Sequence, residues 1–225
     1  MSGLADGALA ILFPQRLCCH GCGCMLTEDE GALCRSCQQA LRDCRLLRKD
    51  EDRLFRGEQV LAAAAFRYQG MAAALVRSLK YGSDRTAAIP LAEGLAGRFA
   101  KMEQLRAAEV CVAVPSYPGQ TRRRGYGQAQ VLSDAFGAMT GLQQAPQVLR
   151  RVRYAKSQVG AGREERRKSI VGAFAIDGSK AQTVADRCVL LIDDVLTTGA
   201  TACECARVLY AAGARRVMAL TACRA

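Results

Sequence analysis

Two adjacent aspartates and a group of small hydroxyl residues lie close together near the end of this 225-residue chain. Asp193 and Asp194 follow an apolar run at residues 189–192, which predicts a buried parallel strand. The turn that comes next consists of Thr197, Thr198, Gly199, Ala200 and Thr201. A turn of this kind, opening a helix, presents backbone N–H groups and hydroxyls to a phosphate. The pattern therefore predicts a site for a sugar 5-phosphate, with the carboxylates on the sugar hydroxyls.

This run resembles the signature with which type I phosphoribosyltransferases bind 5-phosphoribosyl 1-pyrophosphate (PRPP). The resemblance implies that the aspartates bind the ribose 2- and 3-hydroxyls and that the turn binds the 5-phosphate. The implied PRPP-binding residues are Asp193, Asp194, Thr197, Thr198, Gly199, Ala200 and Thr201. The alternative is a strand–turn–helix in which an aspartate merely caps the helix. That alternative accounts poorly for two acids and three hydroxyls in one turn.

Seven of the twelve cysteines are concentrated between residues 18 and 44. The N-terminal apolar run has no basic residue before it and is interrupted by Pro14, so we expect no secretory signal and a cytoplasmic protein. No apolar stretch approaches the ~20 residues of a membrane span, so we expect no membrane insertion. In a reducing compartment, clustered cysteines more often bind metal than form disulfides.

Two C-x2-C pairs separated by eleven residues predict a closed, structural Zn²⁺ site with four thiolate ligands. The predicted ligands are Cys19, Cys22, Cys34 and Cys37. Three side chains near the first pair can replace one of them, namely Cys18, Cys24 and His20. Zinc would supply folding energy to a segment too short to build a core of its own. We therefore predict a zinc-binding module with its connector over residues 1–57.

Predicted strands and helices alternate along residues 58–225, which is typical of a mainly parallel sheet flanked by helices. The predicted strands are residues 60–68, 109–114, 174–176, 189–192 and 217–222. The predicted helices are residues 71–79, 89–102 and 128–139, with a further helix after residue 201. This α/β domain would hold the aspartates at the carboxyl ends of its strands.

The net charge of +11 is unevenly distributed, because residues 122–168 contain eleven Lys and Arg against three acids. A polyanion such as pyrophosphate or a nucleic acid fits a patch of this kind. The segment 115–128 is predicted to be a loop after a strand, where open α/β sheets place their ligands. Residues 160–168 are predicted to form a basic loop that closes over a ligand. Arg124 and Arg163 are the candidates for the pyrophosphate side.

The chain as a whole is similar to the ComF family, named for bacterial competence for DNA uptake. The similarity rests on the cysteine pairs, on the PRPP-binding run and on five further segments: residues 12–14, 79–81, 114–115, 124–128 and 156–163. Two positions depart from the family pattern, since Gly127 and Ser169 stand where the family usually has asparagine.

The resemblance implies a type I phosphoribosyltransferase-like fold with a small N-terminal zinc module of four cysteine ligands, and Mg²⁺ bound together with PRPP. Three functions remain open: transfer of phosphoribose to an unknown acceptor, non-catalytic sensing of PRPP or a nucleotide, and handling of single-stranded DNA beside competence-machinery proteins. For transfer, Asp193, Asp194 and Arg163 are the candidate catalytic residues. They would stabilise charge and position the ligand while pyrophosphate leaves, and no nucleophilic side chain is needed.

Overall fold

A computed structural model of the chain describes residues 18–46, 53–55, 59–82, 84–153 and 169–225. The main sheet has five strands in the order β1-β2-β7-β6-β3, and β4 pairs with β5 in a separate two-stranded sheet. The strands are β1 (Arg53–Phe55), β2 (Val60–Arg67), β3 (Val110–Ala113), β4 (Leu149–Arg151), β5 (Phe174–Ile176), β6 (Cys188–Leu196) and β7 (Arg216–Arg224). Among these described strands, only β1 is antiparallel to its neighbour in the main sheet, so the predicted mainly parallel sheet is confirmed.

Helices cover both faces of this sheet, as the sequence predicts. They are α1 (Arg35–Arg42), α2 (Gly70–Tyr81), α3 (Ala88–Lys101), α4 (Glu103–Arg106), α5 (Pro118–Arg124), α6 (Gln128–Thr140) and α7 (Ala200–Ala211), with 3₁₀ turns at Arg85–Ala87 and Gly178–Thr183. Side chains from α2, α3 and α6 form one buried cluster with one face of the sheet. Side chains from α7 form a second cluster on the opposite face. Among the described helices, none has the length and hydropathy to cross a membrane.

Strand β6 is apolar on both faces because it lies between the two cores. Leu190 and Ile192 belong to the cluster with α2 and α3, whereas Val189 and Leu191 belong to the cluster with α7. The strand continues to Leu196, four residues beyond the predicted end. Pairing with β7 explains this extension, since the parallel register runs on to the pair Leu196 and Arg224. The two aspartates therefore lie within the strand and not after it.

The basic segment after β3 contains a short helix where a loop was predicted. Helix α5 begins at Pro118, a residue favoured at the first helical position because it needs no N–H partner there. It ends before Gly125, whose φ of +82° is a left-handed conformation that glycine adopts without strain. The predicted loop at 160–168, with Arg163, lies outside the described residues.

The N-terminal module packs directly on the main domain. Backbone N–H groups of Leu46 and Arg67 donate to the carbonyls of Ala65 and Cys44, which ties the segment after α1 to β2. A Cβ at Gly21 would meet the tip of Met71 on α2. The residues after Cys37 predict a helix over 38–48, whereas helix α1 covers Arg35–Arg42. Strand β1, from the segment assigned to the connector, pairs with β2. The boundary near residue 57 stays a prediction because residues 56–58 lie outside the described part.

Candidate functional site

The two aspartates of β6 form an ion-paired group with a lysine from α2. The backbone N–H of Asp194 donates to Asp193 Oδ1 over 2.8 Å. Lys80 Nζ lies 2.9 Å from Asp194 Oδ2, and the two side chains are only 24% and 14% exposed. Partial burial makes such a pair stronger than one on the open surface. No binding or catalytic function was predicted for Lys80 from the sequence, although it lies in the Leu-Lys-Tyr segment at 79–81 that contributes to the family resemblance.

The two carboxyl groups differ in their electrostatic surroundings. Burial, followed by the charge of Asp194, raises the pKa of Asp193 to about 7, although Lys80 acts in the opposite direction. The pKa of Lys80 is raised overall: burial lowers it, but the charge of Asp194 and its hydrogen bond outweigh that effect. At neutral pH, Asp194 is therefore matched by the Lys80 ammonium, and Asp193 stands near its titration midpoint. A carboxylate in this position can accept hydrogen bonds from sugar hydroxyls.

The threonine-rich turn follows these aspartates directly and leads into α7. Gly199 has a φ of +83° and precedes the first residue of the helix, so the turn depends on a conformation that other residues adopt at a cost. A cavity at this point is lined by side chains of Asp193, Thr197, Thr201 and Thr221. The structure thus brings the predicted diol-binding acid and two predicted phosphate-binding threonines to the N-terminal end of one helix.

Gly199 also has no room for a side chain. A Cβ built there would overlap the ring of Phe55 on β1. We expect Gly199→Ala to move the turn, to cost about 1–3 kcal/mol of stability and to weaken sugar-phosphate binding. The matched control is Gly97→Ala in α3, where a Cβ meets nothing within 4 Å. That variant should be stabilised by about 1 kcal/mol with ligand affinity unchanged. Thermal unfolding and calorimetry of both variants test this, and equal behaviour would contradict it.

The segment that contains Arg124 docks on the end of α2, beside Lys80. The Tyr126 hydroxyl donates to the Leu79 carbonyl over 2.9 Å, and this contact is buried. The Arg124 guanidinium carbon lies 5.7 Å from the centre of the Tyr81 ring. The structure therefore places Arg124 against Tyr81, the neighbour of Lys80 in the chain. Arg163, the other arginine predicted for the pyrophosphate side, is outside the described residues.

The cysteine-rich module brings several sulfur atoms together. Ligand atoms of Cys19, Cys22, Cys24 and Cys34 all lie within 4.8 Å of one another. Burial, followed by interactions with Cys19, Cys34 and Cys22, raises the pKa of Cys37, the fourth predicted ligand, so its sulfur lies beside this group. Five sulfur atoms are thus available for a tetrahedral ion, and the choice between Cys24 and Cys37 stays open. The four closely spaced thiols can hold one metal ion and are compatible with structural zinc.

Despite burial, hydrogen bonds to the sulfurs of Cys19 and Cys34 lower the pKa of these two thiols and favour the thiolate, which is the form that binds metal. The backbone N–H groups of Gly21 and Cys34 each donate to Cys19 Sγ over 3.3 Å. The hydroxyl of Ser36 lies 3.2 Å from Cys34 Sγ, and this hydrogen bond is the main reason why the pKa of Cys34 falls to about 6. Donors around thiolate ligands play the same supporting part in metal sites generally.

His20 and Cys18, which were alternative ligands, contact other groups. His20 Nδ1 lies 2.7 Å from Asp84 Oδ2 in a contact that is nearly closed to solvent. The other Asp84 oxygen accepts from the N–H and hydroxyl of Thr86. Cys18 Sγ donates to the Met25 sulfur over 3.8 Å. His20 therefore connects the cysteine module to the turn that follows α2, and α2 carries Lys80.

The chain is similar in sequence to several curated bacterial proteins. The chain is 34% identical over 124 residues to competence protein F of Haemophilus influenzae, covering 55% of this chain and 54% of that protein. It is 28% identical over 113 residues to the DNA utilization protein YhgH of Escherichia coli O157:H7, covering 50% and 48%. The chain thus spans about half the length of the curated relatives it matches. No family model matches the chain.

One solved structure that matches part of the chain is described as the allosteric regulatory enzyme of purine biosynthesis. It is 16% identical, covers 65% of this chain and 30% of its own, and has a TM-score of 0.42. A score below 0.5 does not by itself establish a shared fold.

Proposed function

We propose that this chain is a phosphoribosyltransferase-like member of the ComF family, that it binds PRPP and that it serves the uptake or use of DNA. The observation that carries the proposal is the cavity lined by Asp193, Thr197 and Thr201 at the start of α7. The twelve-residue helix α7 begins at Ala200, so the positive end of its dipole lies at this turn. The names of competence protein F and of the DNA utilization protein support the link to DNA. A cytoplasmic location is part of the proposal.

In the proposed binding mode each part of the turn has one task. The carboxylates of Asp193 and Asp194 accept hydrogen bonds from the two ribose hydroxyls. Thr197, Thr198, Thr201 and the N–H groups around Gly199 hold the 5-phosphate. Lys80 orients the Asp194 side chain through its 2.9 Å contact. Arg163 and Arg124 are the proposed cations for the pyrophosphate, and the guanidinium edge of Arg124 can donate while its face stays over the Tyr81 ring.

If phosphoribose is transferred, the chemistry needs positioning more than reactive side chains. The bond between ribose C1 and the pyrophosphate oxygen breaks, and pyrophosphate leaves with the bonding electrons. A nitrogen of the acceptor forms the new bond to C1 and releases its proton. Mg²⁺, when bound, neutralises charge on the pyrophosphate. The aspartates face the ribose, where positive charge develops at the anomeric centre, and stabilise it electrostatically.

Calorimetry of the zinc-loaded protein tests the binding step first. PRPP with Mg²⁺ should bind with micromolar affinity, and ribose 5-phosphate should bind more weakly because it lacks the pyrophosphate. Pyrophosphate release in the presence of candidate nitrogenous acceptors then separates an enzyme from a sensor that binds without turnover. A folded, metal-loaded protein that binds neither sugar phosphate would overturn the proposal.

A role on single-stranded DNA is the second candidate, supported by the exposed side chains of Arg122 and Arg123 on α5. Because each phosphate contact on a single strand contributes about −0.7 to the slope of log affinity against log salt, replacing both by glutamine should make the slope shallower by about 1.4. Lys101→Gln with Arg106→Gln is the matched control at two other exposed cations. Fluorescence anisotropy of an oligothymidine across a salt series measures both. No binding at moderate salt would remove this role.

A further inference from the structure

Tyr81 presents a large aromatic surface and follows Lys80, which contacts Asp194 of the candidate sugar-phosphate site. Its side chain is 72% exposed, although it ends a helix whose Leu75, Val76 and Leu79 are fully buried. Single exposed apolar residues are common, so exposure alone would carry no conclusion. What distinguishes Tyr81 is that the exposed ring is held in place.

Three contacts fix the ring and the helix end that carries it. Arg124 lies over the Tyr81 ring, with 5.7 Å between the guanidinium carbon and the ring centre. The Nε and Nη1 atoms of Arg124 are closed to solvent and have no hydrogen-bond partner among the described residues, so the ring face is the contact found for this cation. The Tyr126 hydroxyl holds the Leu79 carbonyl over 2.9 Å, and Arg85 lies over the Tyr126 ring at 5.2 Å.

These contacts leave one ring face occupied by Arg124 and much of the ring accessible, beside residues that suit a ribose. We propose that Tyr81 is a stacking platform for a nucleobase, backed by Arg124. A base needs only a π-face to stack, so the platform would accept several bases and would position the base without reading its identity. The inference deepens the proposed function and rests on it for the ribose and phosphate contacts.

The absence of tryptophan from the sequence allows a direct test. Tyr81→Trp introduces a single tryptophan and keeps an aromatic face at this exposed position. Stacking of adenosine or uridine 5′-monophosphate should quench its fluorescence, whereas ribose 5-phosphate, which has no base, should not. Met25→Trp is the matched control, since Met25 is 69% exposed in the cysteine module. Its fluorescence should not respond to any of these ligands.

Affinity changes provide the second readout. Tyr81→Ala should weaken binding of the two nucleoside monophosphates about tenfold and leave ribose 5-phosphate within about twofold, because stacking of one base contributes about 1–3 kcal/mol. Tyr81→Phe should bind both monophosphates with the affinity of the wild type, because it keeps the aromatic ring. Circular dichroism should show that all variants fold. An equal loss for ribose 5-phosphate, or no loss for the monophosphates, would overturn the platform.

The outcomes also separate this inference from the proposed PRPP site. Retained PRPP binding without quenching by monophosphates would reject the platform and leave the sugar-phosphate site intact. Quenching by a short oligothymidine alone, in a protein that does not bind PRPP, would support the platform and reject the PRPP site. The base would then come from a single strand and not from a free nucleotide.

Discussion

Asp193→Asn is expected to weaken PRPP binding about 30- to 100-fold and at the same time to stabilise the fold at neutral pH. The loss of affinity follows from replacing a charged acceptor by a neutral one, which costs about 2–3 kcal/mol for a hydrogen bond to a charged group. The gain in stability has a separate cause. Burial and the charge of Asp194 raise the pKa of Asp193 to about 7, so the folded chain holds the proton of this carboxyl more tightly than the unfolded chain does.

The pH dependence of this stabilisation has a defined sign. With the pKa raised from 3.8 to about 7, the stability contributed by Asp193 is fully present below pH 3.8 and is lost as the pH rises toward 7. Asparagine cannot ionise, so the variant avoids this loss. The difference in Tm between variant and wild type should therefore grow from pH 4 to pH 7 and stay constant above it. The cited shift corresponds to up to about 4 kcal/mol at pH 8, so we expect the variant to unfold several degrees above the wild type there.

Asp194→Asn is the matched control, because it is isosteric and adjacent but should change stability in the opposite direction. It removes the carboxylate that compensates the Lys80 ammonium, whose Nζ is 2.9 Å away and whose side chain is 24% exposed. Removing one partner of a partly buried pair leaves the other charge uncompensated. This variant should also bind PRPP weakly. Calorimetry and thermal unfolding of both variants between pH 4 and pH 8 measure the effects. Destabilisation by Asp193→Asn at pH 8 would contradict this electrostatic account.

The elements that were predicted well are those with a strong local pattern. The run at 189–192 is continuously apolar because its neighbours on both faces are helices, and this is the pattern of a strand in a parallel sheet. Helix α2 was predicted from Leu75, Val76 and Leu79, which are all fully buried. The end of β6 was predicted four residues too early because pairing with β7 extends the strand. The length of β7 cannot be deduced from the sequence of β6.

The errors in the basic segment come from competing local signals. The proline and glycine content of residues 115–127 indicates a loop. However, Pro118 and Gly125 occupy the positions at which a helix starts and ends. Position within the segment mattered more than composition. The seven-residue length of α5 also gives too short a window for an amphipathic pattern.

The contacts that complete the site could not be predicted because they join distant segments. Lys80 and Asp194 are 114 positions apart, and only the packing of α2 against the sheet brings them together. His20 and Asp84 are 64 positions apart. In the cysteine cluster, the C-x2-C spacing favours Cys37, but the backbone also brings Cys24 into the closely spaced group, and the pair spacing does not predict that path.

Removal of metal from the cysteine cluster is expected to unfold residues 18–46. We also expect PRPP binding to weaken several-fold, because the module contacts the main domain that carries the sugar-phosphate site. Structural zinc contributes about 10–16 kcal/mol of binding free energy in short zinc-binding peptides, more than a segment of this size gains by packing alone. The effect should reach α2, because Gly21 packs against Met71 and His20 holds Asp84 over 2.7 Å. Metal analysis should find one zinc per chain, and hydrogen exchange with and without chelator should show lost protection at 18–46.

Cysteine variants identify the ligands and separate metal loss from general instability. Cys19→Ser should lose zinc and the protection of the module, whereas Cys18→Ser should retain both, because Cys18 contacts the Met25 sulfur and not the cluster. Comparison of Cys24→Ser with Cys37→Ser determines the fourth ligand, since a tetrahedral ion needs only one of the two. His20→Ala should keep zinc and yet weaken PRPP binding, because it cuts the contact to Asp84 without touching a sulfur. Unchanged PRPP affinity in His20→Ala would show that the module stabilises the fold without influencing the sugar-phosphate site.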